Sequence, residues 1–252
     1  MVRILLVGCN GRMGSVVTSV VSERSDCTIV AGIDIDPVHL NNYPVYKDFS
    51  SFDGEADVII DFSHPSSLPG ILEYAVSKHI PAVIATTGLK DEDIAKIKEA
   101  SEKTAMFFSY NMSLGINLIS DLVKKAAALL ADSFDIEIVE AHHNQKIDAP
   151  SGTAIMIGNA IRSVLDGDYE YEYDRHNDVH KRNKKEIGMH SIRGGTIVGE
   201  HDVIFAGRDE VITISHSARS KEIFAVGAVR AALFIKDKTN GLYDMSDVIS
   251  NS

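Results

Sequence analysis

Short apolar runs alternate with amphipathic segments through the first half of the chain. Each run has a length that fits one buried strand, and the runs are residues 4–7, 28–33, 56–60, 81–85 and 104–108. Apolar residues at helical spacing lie between several of them, at 12–23, 66–78 and 91–103. Strands that alternate with helices are typical of a parallel sheet covered by helices on both faces. The pattern therefore predicts an α/β fold built on a doubly wound parallel sheet.

The pattern changes after residue 113. A long amphipathic helix is predicted at 114–131, followed by a strand at 135–140 in which Ile136 and Ile138 alternate with polar residues. That alternation indicates a strand with one solvated or ligand-facing side. The elements predicted beyond it are a helix at 152–165, a polar stretch at 166–186, and strands near 189–196, 201–205 and 211–216. This order favours a second, α+β domain with an open mixed sheet.

A last apolar helix, predicted at 220–235, is expected to return and cover the first sheet. The first domain would then be discontinuous, formed by residues 1–113 and 220–252. The second domain, residues 114–219, would be inserted between its two parts.

Composition limits the classes of protein to consider. The chain has 252 residues, of which 44% are hydrophobic and 24% charged, as in ordinary globular proteins. A formal charge of −11 argues against nucleic acid as a partner, so any affinity for anions must be local. No apolar run reaches the roughly 20 residues that span a bilayer, and the N-terminus lacks the features of a signal peptide. Cys9 and Cys27 have neither disulfide-framework nor zinc-site spacing, so we expect a cytoplasmic protein without a metal.

The sequence GCNGRMG at 8–14 follows the first predicted strand and opens the first predicted helix. Glycines at these positions permit a tight turn and close approach of a pyrophosphate to the helix N-terminus. An ordinary turn between strand and helix is the alternative. Asp34 favours the cofactor interpretation, because it lies 20 residues beyond Gly14, where an acid receives the ribose hydroxyls in Rossmann-type domains.

Asp34 also bears on the choice of cofactor. A carboxylate accepts hydrogen bonds from a free ribose diol but repels a 2′-phosphate, and Ile35 and Asp36 supply no cation. We therefore expect NADH to be preferred over NADPH. The alternative is that Arg12 or a distant lysine compensates, so that both cofactors are used.

Two further segments follow predicted strands of the first sheet. Thr86 and Thr87 come after the strand at 81–85, and a second polar segment at 109–112 comes after the next strand. Ligands of parallel sheets bind beyond the carboxyl ends of the strands, so both segments are placed to touch nicotinamide or substrate. For the threonines, a helix cap before Asp91 is the alternative.

The segment EAHHNQKIDAPSGT at 140–153 concentrates ionisable groups between a predicted strand and a predicted helix. His142, His143 and Lys146 can donate protons near neutral pH, and the N–H groups of Gly152 and Thr153 can hold a carboxylate at the helix start. Structural or surface histidines and a metal site are the alternatives, although further ligands at suitable spacing are lacking.

Four motifs in this order carry a family resemblance: GCNGRMG at 8–14, ATTG at 85–88, NMSLG at 111–115 and the segment at 140–153. Similarity continues through HSIRGG at 190–195, VGEH at 198–201 and FAVGAVRAA at 224–232, and so covers nearly the whole length. The chain resembles the 4-hydroxy-tetrahydrodipicolinate reductases, long called dihydrodipicolinate reductases.

The resemblance implies a homotetrameric enzyme of diaminopimelate and lysine synthesis. Its substrate would be a small dicarboxylate, 4-hydroxy-tetrahydrodipicolinate, which is reduced through dihydrodipicolinate to tetrahydrodipicolinate with NAD(P)H. The first domain would bind the dinucleotide, and the second would bind the substrate and form the tetramer. Another NAD(P)-dependent oxidoreductase of amino-acid precursors, or an inactive nucleotide-binding protein, are the alternatives.

The resemblance also implies roles for individual residues. His142 and Lys146 would be the acid/base pair, and His143 a substrate contact. Gly152 and Thr153 would hold a substrate carboxylate. The cofactor contacts would be Gly8, Cys9, Asn10, Gly11, Arg12, Met13, Asp34, Ala85, Thr86, Thr87, Ser109, Tyr110, Asn111 and Met112.

The chain departs from the family pattern at two places. Ala85 replaces a frequent glycine, and Asn144-Gln145 replaces a frequent Arg-His pair, so one or two cationic groups near the substrate are missing. Arg193 and the basic stretch 181–185 are the candidate substitutes. A solvated loop is the alternative interpretation of that stretch.

Overall fold

The computed structural model describes residues 1–38, 41–177 and 179–251. The chain folds as two compact units. One unit is formed by Met1–Leu114 together with Lys221–Ser252, and the other by Gly115–Ser220.

The first unit is built on a seven-stranded sheet in which every neighbouring pair of strands is parallel. Its strands are β1 (Val2–Val7), β2 (Cys27–Ile33), β3 (Val45–Tyr46), β4 (Val58–Asp61), β5 (Ala82–Ile84), β6 (Ala105–Phe108) and β12 (Gly241–Tyr243). The order across the sheet is β3-β2-β1-β4-β5-β6-β12. This confirms the predicted doubly wound parallel sheet. Its topological switch point, where ligands bind in such sheets, lies between β1 and β4.

Helices cover both faces of this sheet. They are α1 (Arg12–Ser22), α2 (Leu68–Lys78), α3 (Asp91–Ser101), α6 (Glu222–Ile235) and the short α7 (Met245–Ser250). Successive side chains of β1 point to opposite faces, so Ile4 and Leu6 pack with α1 and α6, whereas Leu5 and Val7 pack with α2 and α3. The last apolar helix therefore does return to the first sheet, as its composition predicts.

The second unit contains a five-stranded mixed sheet. Its strands are β7 (Asp135–His142), β8 (Glu170–Glu172), β9 (Glu186–Arg193), β10 (Gly199–Ala206) and β11 (Val211–Ala218), in the order β11-β10-β7-β9-β8. Strands β7, β10 and β11 pair antiparallel, and β7, β9 and β8 pair parallel. Helices α4 (Leu114–Leu130) and α5 (Gly152–Arg162) pack on one face, where Ile136 and Ile138 are buried. The predicted mixed α+β character is confirmed.

Several short elements escaped prediction. Strands β3, β8 and β12 have two or three residues, too few to establish a period in the sequence. Strand β9 begins at Glu186, at the end of the predicted polar stretch, and it ends before Gly194 and Gly195, the second of which has a φ of +48°. In the described ranges of the chain, we find no helix with the length and apolar character needed to cross a bilayer.

Candidate active site

Strand β7 changes from apolar to ionisable along its helix-covered face. Ile136 and Ile138 fill the core beneath α4 and α5. The two-residue period of a strand places Glu140 and His142 on the same face, toward the end of the strand. Glu140 is 0% exposed and His142 is 9% exposed. The strand therefore delivers a buried carboxylate and a nearly buried imidazole to its carboxyl end.

The two groups are hydrogen bonded to each other. His142 Nδ1 lies 2.6 Å from Glu140 Oε2. Because an ionised carboxylate only accepts, Nδ1 must carry the proton, and Nε2 is the ring nitrogen that a ligand can reach. A Cβ placed on Gly199 of β10 would lie 3.1 Å from Nε2, so a glycine here keeps that nitrogen clear.

Arg193 of β9 compensates the buried Glu140 charge. Its two terminal nitrogens lie 2.8 and 2.7 Å from the two Glu140 oxygens, and one of them also donates to the Asp148 carbonyl at 2.6 Å. Burial acts to raise the pKa of Glu140, but hydrogen bonds from Arg193, Ser191 and His142 outweigh it and hold that pKa at about 2. Glu140 is therefore an anion at any working pH. Arg193, expected as a substitute cation for the substrate, is instead paired internally.

The N-terminus of α5 lies beside this network. Ser151 is the N-cap, and its Oγ accepts a hydrogen bond from the Ala154 N–H group at 3.1 Å. Its own N–H donates to Glu140 Oε1 at 3.1 Å. Gly152 and Thr153 come next, and a Cβ on Gly152 would meet no atom within 4 Å, so the space before the helix is open. N–H groups at a helix start attract anions, and this opening fits a carboxylate.

His201 of β10 joins the cluster from the other side. Its Nε2 lies 3.0 Å from Ser151 Oγ, and its ring packs against that of His142. Burial, followed by the proximity of His142, lowers the pKa of His201 to about 4. His216 on β11 lies opposite His201 in the register, and burial lowers its pKa too. His201 therefore remains neutral at physiological pH.

The loop after β7 carries the remaining candidates. Lys146 Nζ lies 2.8 Å from Asp148 Oδ1, and this bond lowers the pKa of the carboxylate. Lys146 is also close enough to His201 to contribute to its lowered pKa. His143 is half-buried, and its carbonyl accepts the Lys146 N–H bond at 3.1 Å. The second unit therefore brings His142, His143, Lys146 and the α5 N-terminus into one neighbourhood. The basic stretch has internal partners: Arg182 binds Glu137 and Asp135.

In the first unit, the glycine loop is sterically restricted to glycine. Gly8 has a φ of +77°, which disfavours a side chain, and a Cβ there would lie 2.7 Å from the Phe62 carbonyl oxygen. A Cβ on Gly14 would lie 2.2 Å from the Gly8 carbonyl oxygen. The α1 N-terminus begins after Gly11 and has no side-chain cap, which leaves its approach uncovered.

Asp34 lies against this loop, as its position after β2 predicts. Its Oδ2 accepts the Asn10 N–H bond at 2.9 Å. A cleft of about 630 Å³ opens here. The residues that line it include Gly8, Asn10, Gly11, Asp34, Asp36, Lys47, Phe49, Phe62, Ser63, His64 and Ser66. An open helix N-terminus beside a carboxylate fits the pyrophosphate and ribose of a dinucleotide.

Other predicted cofactor contacts also follow strand ends of the first sheet. Because the strands are parallel, these segments lie at one edge of the sheet. Residues 12–13 open α1, 85–87 follow β5, and 109–112 follow β6.

Some of these side chains point away from that edge, however. Cys9 and Met112 are buried in the core, so their side chains are not available. The Thr86 hydroxyl donates to Asp61 at 2.8 Å, which leaves its backbone as the means of contact. Tyr110, by contrast, is largely exposed and packs edge to face on Phe108.

Sequence reasoning missed several groups. The sequence patterns predict no role in the site for Glu140, His201, Lys47 or the residues 62–67. The segment after β4 could have been found, because β4 neighbours β1 across the switch point and ends in Asp61. Asp61 is buried, accepts bonds from Ser63 and Thr86, and burial raises its pKa despite those bonds.

Comparison with known proteins gives consistent matches over the whole chain. Residues 2–112 match the family model "Dihydrodipicolinate reductase, N-terminus", and residues 115–249 match "Dihydrodipicolinate reductase, C-terminus". A 4-hydroxy-tetrahydrodipicolinate reductase of Caldanaerobacter subterraneus subsp. tengcongensis is 51% identical, covering 99% of this chain and 98% of the relative. A 4-hydroxy-tetrahydrodipicolinate reductase of Clostridium novyi is 45% identical, covering 100% of this chain and 99% of the relative.

Solved structures show the same fold. A dipicolinate-bound dihydrodipicolinate reductase from Paenisporosarcina sp. TG-14 has a TM-score of 0.81 at 23% identity, covering 97% of each chain. A probable dehydrogenase from Thermotoga maritima has a TM-score of 0.64 at 11% identity, covering 98% of this chain and 92% of the other.

Proposed function

This chain belongs to the dihydrodipicolinate reductase family, and from that membership we propose that the ionisable end of β7 is its reducing site. The chain is a nicotinamide-dependent reductase of lysine biosynthesis that acts on 4-hydroxy-tetrahydrodipicolinate. The resemblance drawn from its motifs is confirmed. The observation that carries the site assignment is the bond from His142 Nδ1 to Glu140, which leaves Nε2 for the substrate.

The second unit would bind the diacid. The N–H groups of Gly152 and Thr153 would hold one carboxylate, because the helix start is open and favours negative charge. His143 and Lys146 lie on the loop that precedes this helix start and would contact the substrate from that side. Support comes from the open space at Gly152 and from the partial burial of His143 and Lys146.

The reaction would then depend on one proton donor and one cation. The nicotinamide cofactor, when bound, supplies the hydride for the unsaturated ring. Negative charge then develops on the substrate, and the Lys146 ammonium would stabilise it. His142 would give a proton from Nε2 to the ring carbon next to the one that receives the hydride. Glu140 would stabilise the protonated imidazole. His142 would thus be the proton donor, and Lys146 the cation that stabilises the developing charge.

The first unit would hold the cofactor at the glycine loop. The α1 N-terminus would face the pyrophosphate, and Asp34 would accept the ribose hydroxyls. We infer a preference for NADH, because the Asp34 carboxylate repels a 2′-phosphate. Lys47 lines the same cleft and is the cation through which NADPH could also be accepted. Cys9 and Met112 would contribute backbone contacts alone, since their side chains are buried.

Assembly and location complete the proposal. Helices cover one face of the mixed sheet, whereas on the other face Ile192 is 52% exposed and Val211 63% exposed. That apolar exposure supports a homotetramer formed through the second unit. Sedimentation of the purified protein tests this, and a monomer at micromolar concentration would contradict it. The two reduced, buried cysteines agree with a cytoplasmic enzyme.

A coupled assay tests the function. The freshly made condensation product of pyruvate and aspartate semialdehyde is supplied with NADH or NADPH, and oxidation is followed by the absorbance of the reduced nicotinamide. We expect one cofactor oxidised for each tetrahydrodipicolinate formed. Binding of NADH without turnover would favour an inactive nucleotide-binding protein. Turnover confined to another amino-acid precursor would favour a different oxidoreductase.

A further inference from the structure

Glu140 is a buried carboxylate that does not itself contact the substrate in the reaction proposed above. Its side chain is 0% exposed, and it accepts hydrogen bonds from His142, from the Ser151 N–H group and from both terminal nitrogens of Arg193. Burial of a charge is costly even when partners compensate it. A charge kept at this position therefore suggests a function that an apolar residue could not provide.

The first consequence concerns the His142 ring. The short bond to Glu140 Oε2 fixes the proton on Nδ1 and the plane of the imidazole. Gly199 leaves room at Nε2, the edge that faces away from Glu140. Glu140 therefore determines which ring nitrogen is offered to the substrate and in which direction.

The second consequence concerns the anion site. Glu140 Oε1 binds the N–H group of Ser151, whose hydroxyl caps α5 and whose next residues are Gly152 and Thr153. The Glu140 carboxylate thus binds His142, the proposed proton donor, through Oε2 and the start of α5 through Oε1. The distance between proton donor and carboxylate clamp is set by this single side chain.

Arg193 extends the linkage toward Lys146. The guanidinium that neutralises Glu140 also donates to the Asp148 carbonyl at 2.6 Å, and the Asp148 carboxylate pairs with Lys146 at 2.8 Å. A continuous set of hydrogen bonds therefore connects His142 with Lys146. Glu140 and Arg193 lie in its middle.

We propose that Glu140 is a positioning residue that acts on kcat through His142 and on KM through Ser151 and the α5 N-terminus. This inference rests on the proposed function of His142 and of the clamp. Strand β7 supplies a matched control in Glu137, which also binds arginines and a histidine, with His190 at 2.8 Å, Arg175 at 3.0 Å and Arg182 at 3.1 Å. Glu137 points to the opposite face of the strand, away from His142.

The test compares Glu140→Gln with Glu137→Gln in the intact enzyme. Glutamine cannot accept on both sides of the carboxylate position, so we expect kcat to fall about 10- to 100-fold and KM to rise several-fold in Glu140→Gln. Glu137→Gln should change neither constant, whatever it costs in thermal stability. Values of kcat and KM for Glu140→Gln that equal those of the wild type would overturn the inference.

The pH profile of kcat separates positioning from loss of structure. The charged and titratable groups around Glu140 and His142 are Arg193 on β9, His201 on β10 with His216 opposite it on β11, and Lys146 and Asp148 after β7. Removal of the Glu140 charge leaves Arg193 uncompensated beside the imidazolium. The alkaline limb of the profile should therefore move to lower pH in Glu140→Gln and stay in place in Glu137→Gln. An unmoved limb would contradict the inference.

A double-mutant cycle tests whether the effect of Glu140 on kcat passes through His142 and its effect on KM does not. In the His142→Gln background, Glu140→Gln should cause no further loss of kcat but should still raise KM, because the Ser151 contact persists. Independent, multiplicative losses of kcat would overturn the inference. Lack of turnover in the wild type would instead overturn the proposed function itself.

A folding defect in Glu140→Gln is handled by a second variant. Thermal unfolding and NADH binding show whether the protein is intact. If it is not, Glu140→Gln/Arg193→Gln removes both the buried carboxylate and its partly buried partner, and it should fold yet keep the loss of kcat. Wild-type kcat in this double variant would contradict a positioning role for Glu140.

Discussion

The rings of His142 and His201 pack edge to face with their centroids 5.2 Å apart. His201 is 4% exposed, and its Nδ1 has no hydrogen-bond partner in the part of the chain that the structure describes. Its neighbour His142 is bonded to an anion instead. Two adjacent imidazoles thus have different environments, and the one bonded to an anion is the proposed proton donor.

Acid should destabilise the fold through His201. Its pKa is about 4 in the folded protein against 6.5 for an ordinary histidine, so the unfolded chain binds more protons between these values. The free energy of unfolding should therefore fall as pH decreases through this window, by an amount on the order of 3 kcal/mol. Urea unfolding at a series of pH values measures this. His201→Gln should flatten the dependence, whereas the exposed His176→Gln should not.

Gly199→Ala should lower kcat. The new Cβ would lie 3.1 Å from His142 Nε2, and the ring cannot turn away without losing its bond to Glu140. We expect kcat to fall by about 10-fold or more, with cofactor affinity unchanged. Gly194→Ala is the matched control, since a Cβ there meets nothing within 4 Å. Equal kcat values for the two variants would contradict the proposed use of Nε2.

Asp34 should set the cofactor preference. Asp34→Asn keeps an oxygen for the Asn10 N–H group but removes the charge. We expect kcat/KM with NADH to fall about 10-fold while the value with NADPH holds or rises. Lys47→Gln, in the same cleft, should lower only the NADPH value. A wild-type enzyme that strongly prefers NADPH would refute the assignment.

The two helical glycines Gly14 and Gly70 should differ in the effect of alanine on stability. A Cβ on Gly14 would lie 2.2 Å from the Gly8 carbonyl oxygen, so the glycine loop must shift. A Cβ on Gly70 would come no closer than 3.8 Å to the Phe49 ring. Gly14→Ala should cost at least about 2 kcal/mol of unfolding free energy, and Gly70→Ala should be neutral or gain up to about 1 kcal/mol. Denaturant unfolding without cofactor checks both.

Local patterns predicted much of the first unit. The apolar run before Gly8, the helix after it and Asp34 at the end of β2 suffice to place the glycine loop, because a parallel sheet brings strand ends to one edge. The segment at 140–153 likewise predicted the helix start at Gly152 and made His142 and Lys146 candidates for the site. These features depend on residues close in sequence.

The partners of the predicted residues could not be derived in the same way. Arg193 and His201 reach Glu140 and Ser151 through the register of β9 and β10 on β7, across about 50 positions of the chain. Strand register depends on the hydrophobic patterns of the paired strands and on the turns between them, and a single local motif does not define it. The hydrogen bond from the Thr86 hydroxyl to Asp61 could not be predicted either, because the two residues follow or end different strands.

The central claim, that His142 protonates the diacid while the cofactor is held elsewhere in the chain, is tested most directly by single-turnover kinetics of His142→Gln. Enzyme saturated with NADH is mixed with fresh condensation product, and the nicotinamide absorbance is followed. We predict oxidation at least about 100-fold slower than in the wild type, with an unchanged dissociation constant for NADH. Oxidation at the wild-type rate would contradict the claim.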